Sequence, residues 1–80
     1  MDVKDLIVDR FIGLCRERNI TINELANISG VTASTVYSML DSSRKDVSIR
    51  TIKKLCDGLE ITLGEFFTTE KFNQLEQELK

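Results

Sequence analysis

The groups in this 80-residue chain able to do chemistry are cations and hydroxyls. Arg44, Lys45, Arg50, Lys53 and Lys54 crowd residues 42–54 against a single acid, Asp46. Just upstream stands the polar run Thr32-Ala33-Ser34-Thr35, and Tyr37 and Ser38 follow it. Cations next to short hydroxyl side chains suit phosphate oxygens and base edges, through charge-assisted bonds and small donors and acceptors. Other chemistry is poorly supplied. The chain has no histidine and only two cysteines, Cys15 and Cys56, which lie far apart without a Cys-x-x-Cys pair. That pattern argues against a zinc centre and against a secreted disulfide framework. Each cysteine sits in an apolar run and reads as a small core residue. Without a nucleophile–base constellation or paired acids on a recognisable pocket, the sequence does not read as an enzyme and implies no metal and no cofactor.

These groups need elements to carry them. The sequence has no proline, is 41% hydrophobic and 30% charged, and contains helix-compatible patterns nearly throughout. An all-α domain follows, with a small core because 80 residues bury only about 60% of their unfolded surface. Charged residues interrupt the first turns, so no signal-peptide or membrane-spanning run opens the chain, and a cytoplasmic protein without membrane contact is expected.

Leu6, Ile7, Phe11, Ile12, Leu14 and Cys15 predict a first helix over residues ~4–18. Thr21 and Glu24 form a capping box that starts a second, with Leu25 and Ile28 as its apolar side and Ser29-Gly30 as its stop. Thr32 caps a third helix, Ala33 to Leu40, facing inward with Val36, Met39 and Leu40. Residues 41–46 read as a loop. Ser48 caps a fourth helix whose stripe is Ile49, Ile52, Leu55, Cys56 and Leu59. Thr62 and Glu65 box a short fifth helix holding Phe66 and Phe67, and Phe72, Leu75 and Leu79 suggest a sixth in the tail.

The second and third helices meet at one glycine. Two short helices can cross that closely only where residues are small, and Ala26 and Gly30 are the expected points of contact. Such a corner holds the third helix out from the body, free to enter a B-DNA major groove. A net charge of −2 opposes nucleic-acid binding, but the acids at Asp2, Asp5, Asp9, Asp57, Glu60 and Glu65 lie in other segments than the cations of 42–54.

The ordered set Thr21-Ile22-Asn23-Glu24-Leu25-Ala26, Gly30-Val31, Thr32-Ala33-Ser34-Thr35-Val36, Thr51-Ile52-Lys53-Lys54-Leu55-Cys56 and Thr62-Leu63-Gly64-Glu65-Phe66-Phe67 resembles the XRE-type, lambda-repressor-like (Cro/CI-type) helix-turn-helix family of bacterial and phage transcriptional regulators. The resemblance implies an all-α fold, a five-helix lambda-repressor-like DNA-binding domain over residues 1–68, with its helix-turn-helix at about 22–40 and an additional short C-terminal helix in a tail of residues 69–80. It also implies a homodimer on double-stranded DNA, probing a palindromic operator with helix 33–40 in the major groove and acting as a repressor. Carried onto this chain, Ala33, Ser34, Tyr37 and Ser38 read bases, while Asn23, Thr32, Ser43, Arg44 and Lys45 hold phosphates. Three positions depart from the family pattern. Ile22 stands where many relatives have a phosphate-binding glutamine; Cys15 and Leu40 replace an arginine–glutamate pair, which suggests an apolar contact in its place; Val47 stands near a common proline. The tail residues Phe72, Leu75 and Leu79 either pack within the chain over Phe66 and Phe67 or meet a second copy. A rival reading keeps the fold but makes it a protein-interaction module, an antitoxin or adaptor with a protein partner.

Overall fold

The computed structural model describes residues 2–76. Six helices follow in order: α1 (Val3–Arg18), α2 (Ile22–Ser29), α3 (Ala33–Leu40), α4 (Ile49–Gly58), α5 (Leu63–Phe67) and α6 (Glu70–Asn73). The fold is all-α, as the periodicities predict.

Local chemistry fixes most boundaries. Thr21 and Glu24 exchange side-chain and backbone bonds at 3.1 and 2.9 Å, and Thr62 and Glu65 do the same at 3.0 and 2.9 Å. A third capping box, between Asp2 and Asp5, starts α1 one residue earlier than the apolar pattern indicates. α2 ends at Gly30, whose φ of +70° is a left-handed conformation that side chains resist. From there the Val31 amide returns to the Ala26 carbonyl at 3.1 Å, closing the helix and turning the chain into α3.

Core side chains come from α1 to α5. Phe11, Leu25, Val36, Leu55, Leu59 and Phe66 are fully buried, and the Phe11 and Phe66 rings lie 4.4 Å apart between centroids. α2 packs on both α3 and α4, so the reading-helix candidate is held to the body through its inner residues Val36 and Met39.

α1 fastens the ends of the other helices with three cations. Lys4 donates to the Asp41 carbonyl at the end of α3. Arg10 donates to the Glu65 and Phe66 carbonyls of α5 and lies over the Phe66 ring. Arg18 donates to the Leu59 carbonyl that caps α4. Helix C-termini present unpaired carbonyls and partial negative charge, so a cation there satisfies both.

Four expectations need correction. Gly30 is not crowded: a methyl there would meet nothing within 4 Å, and glycine is required by its φ alone. The tight approach is at Gly58, where a Cβ would stand 2.9 Å from the Ser29 Cα, so the pinch lies between α2 and α4. Ile28 and Ile49, expected inward, are 52% and 62% exposed. α2 buries Leu25 and Ala26 and turns Ser29 toward α4, which leaves Ile28 just off the stripe, while Ile49 sits on the first turn of α4, ahead of its buried residues Ile52, Leu55 and Cys56. Finally, the sixth helix is one turn long, and Leu75 lies beyond it. Thr69 makes no side-chain cap bond, and a helix this short has little stability of its own.

Candidate nucleic-acid interface

The surface expected to meet DNA begins at the outer side of α3. Burying Val36 and Met39 turns the positions around them outward by helical period. Ser34, Tyr37 and Ser38 are exposed, Tyr37 to 53%, and Ala33 is half-buried against the margin of the core. The exposed tyrosine with Ser34 and Ser38 offers one aromatic face with several donors and acceptors.

The Thr32 hydroxyl, a phosphate candidate, already has local partners. Its hydroxyl oxygen accepts the Thr35 amide at 3.2 Å and lies 2.8 Å from the Thr35 hydroxyl and 3.1 Å from the Ser34 hydroxyl. One hydroxyl supports about three such bonds. A phosphate bond from the Thr32 side chain therefore displaces one of them.

Beyond α3 the chain turns sharply. The Asp41 carboxylate accepts the Ser43 amide at 2.9 Å and its hydroxyl at 2.8 Å, and the Asp41 carbonyl accepts the Arg44 amide at 3.1 Å. The Ser43 amide, then its hydroxyl, hold the Asp41 carboxyl below its ordinary range, helped by the charges of Arg44 and Lys4. Ser43 thus shapes the turn with its hydroxyl, while Arg44 and Lys45 stand exposed from it.

Ser38 and Arg44, separated in sequence, line one shallow depression with Thr35, Asp46, Ser48 and Thr51. Thr35, Ser48 and Thr51 were not assigned from sequence. Ser48 and Thr51 belong to the first turn of α4, and their cap bond was the available signal. Asn23 is exposed on the first turn of α2, beside amides that have no intrahelical partner by construction. Among the described residues no side-chain hydrogen bond joins it to the α3 residues.

At the family-departure positions, Cys15 and Leu40 line one recess with Ile12, Ile20 and Ile22, and Arg16 and Thr21 stand at it too. Both cysteines are free and buried, and burial pushes both thiols up. In the tail, Phe72 packs within the chain, its ring 5.0 Å from Phe67 and 6.0 Å from Phe66. Leu75 is half-buried, and Leu79 lies outside the described residues. Among the described residues, no helix is long and apolar enough to cross a membrane.

Comparison with known proteins agrees with this geometry. Residues 10–71 match the Cro/C1-type HTH DNA-binding domain. The chain is 33% identical over 54 residues to the SPbeta prophage-derived uncharacterized HTH-type transcriptional regulator YopS of Bacillus subtilis (strain 168), a match covering 68% of this chain and 73% of that protein. The crystal structure of the prophage Lp1 protein 11 superposes with a TM-score of 0.82 at 30% identity, covering 94% of this chain and all of the other. With a glycine-closed α2, an outward polar α3 and these matches, the chain belongs to the Cro/C1-type, or XRE-type, helix-turn-helix DNA-binding family.

Proposed function

We propose that the protein is a sequence-specific transcriptional regulator that lays α3 in the major groove of a palindromic operator, binds as a homodimer and represses by occupying that site. One observation carries the reading: Ser34, Tyr37 and Ser38 stand exposed on a helix whose other side is locked into the core, directly before a turn that presents Arg44 and Lys45. In this reading Ala33, Ser34, Tyr37 and Ser38 meet base edges. Arg44, Lys45, Asn23 and the first-turn amides of α2 meet phosphates.

The dimer follows from electrostatics. A chain with net charge −2 and few cations at its interface gains little from counterion release, so two copies on two half-sites supply what one lacks. A dimer contact through the tail would use Leu75 and Leu79, since Phe72 is engaged with Phe66 and Phe67.

Selection of bound duplexes from a random pool tests the reading. Ser34→Ala or Tyr37→Ala should change the selected motif. Lys45→Ala should weaken all sequences about equally and lower the salt slope by about one. No complex at low ionic strength, or a motif unchanged by both α3 substitutions, would refute it.

A further inference from the structure

We propose that Lys4 is a positioning residue for DNA binding: from α1 it fixes the end of α3 and the turn that presents Arg44 and Lys45. The inference rests on the reading of α3 and that turn as the DNA-binding surface.

Lys4 is only 3% exposed, and it is the one buried charged side chain among the described residues. A lysine in the first turn of an amphipathic helix ordinarily keeps its ammonium in water. Here the Nζ reaches across 37 residues of sequence to donate to the Asp41 carbonyl at 2.7 Å. That same carbonyl accepts the Arg44 amide, and the carboxylate of the same residue holds the Ser43 amide and hydroxyl. Asp41 is also the C-cap of α3. One residue therefore joins the reading-helix end, the phosphate turn and α1, and Lys4 is its only link to α1 in this bonding pattern.

The charge distribution agrees with this link. The carboxyl of Asp2, the N-cap of α1, is held below its ordinary range chiefly by the Asp5 amide, and the Lys45 charge contributes. The start of α1 thus bonds to the turn through Lys4 and lies within electrostatic reach of Lys45. Sequence reasoning missed this because a lysine two residues from the chain's first acid looks like any solvated charge.

An ordered turn offers Arg44 and Lys45 to DNA without first having to be immobilised, and losing that order should cost affinity. Lys4 itself is buried and releases no counterion, so its loss should leave the salt dependence unchanged. This separates it from Lys45, and the local readout separates it from a general stabiliser.

The test uses the full chain with Lys4→Met, which keeps much of the apolar stem, and Lys4→Arg, which returns a cationic donor. Lys4→Met should speed solvent exchange of the Ser43 and Arg44 amides about 10-fold relative to the α2 and α4 core amides, and weaken binding to the selected duplex about 10-fold with the salt slope intact. Lys4→Arg should recover part of both. Unchanged exchange at Ser43 and Arg44 would overturn the proposal, as would faster exchange with unchanged affinity, or a salt slope reduced by one. If Lys4→Met does not fold, the same readings on Lys4→Gln, still polar but shorter, decide by the same criteria. If the unaltered chain binds no duplex, the DNA-binding reading falls on that result, while amide exchange alone still upholds or rejects the coupling between Lys4 and the turn.

Discussion

Gly58→Ala sets two familiar effects against each other. Glycine to alanine in a helix normally stabilises by up to about 1 kcal/mol. At position 58 the new methyl would stand 2.2 Å from the Ser29 Oγ, 2.9 Å from its Cα and 3.0 Å from its Cβ. The hydroxyl can rotate away. The Cα cannot move without shifting α2 against α4, and overpacking of that kind costs about 1–3 kcal/mol. The clash should win by about 1 kcal/mol, which in a domain of this size lowers Tm by about 4–8 °C in thermal unfolding followed by circular dichroism. Ser29→Ala provides the control. Among the described residues the buried Ser29 hydroxyl oxygen has no hydrogen-bond partner, so its removal alone should be neutral or stabilising. Adding Gly58→Ala to Ser29→Ala should still lower Tm, because the contacts to Cα and Cβ remain. A Gly58→Ala variant that melts higher than the parent would refute the argument that backbone proximity sets the α2–α4 distance.

Two further outcomes are expected. Leu40→Glu puts a carboxylate beside Ile12, Cys15, Ile20 and Ile22, with Arg16 at the same recess to offset part of the cost; it should destabilise by about 1–2 kcal/mol, and adding Cys15→Arg should restore part of the loss. Calorimetry showing an unchanged Tm for Leu40→Glu would mean that Leu40 does not pack there. Acid should weaken the fold through Asp2, Asp41 and Glu65, whose carboxyls are held down chiefly by the amides of Asp5, Ser43 and Thr62 respectively. Because the folded values lie below the unfolded ones, their contribution is full above about pH 5 and is lost as pH falls through the folded values; the urea midpoint should be flat above about pH 5 and drop below about pH 4, less steeply in Glu65→Gln. A midpoint constant down to about pH 3 would contradict this.

Local chemistry was readable from the residues, and long-range geometry was not. The boxes at Thr21 and Thr62 and the stop at Gly30 depend on bonds within a few positions, so spacing alone reveals them. The same holds for α3, where Val36 and Met39 define the inner side and leave Ser34, Tyr37 and Ser38 outward. Periodicity gives the direction of an apolar side but not its width or its reach, which is why Ile28 and Ile49 were misplaced. A glycine at the visible turn marks Gly30 as the crowded point, while the close contact joins Ser29 to Gly58 across the fold. Lys4, Arg10 and Arg18 carry no local mark, because their acceptors are carbonyls more than 35 residues away. At the interface, the pairing of Ser38 with Arg44 and Thr51 depends on how the loop folds back onto α4.

The three α1 cations bond to main-chain oxygens, at Asp41, Leu59, and Glu65 with Phe66. Every amino acid carries such an oxygen. The grip itself is therefore indifferent to the side chain at its receiving end, whereas a neutral donor does not bring the positive charge that a helix C-terminus attracts. What limits substitution at the receiving ends is their other duties, the core packing of Leu59 and Phe66 and the turn held by the Asp41 carboxylate, and not these bonds. Exposed positions on the far side can then drift, and be re-targeted, over a frame that does not read their side chains.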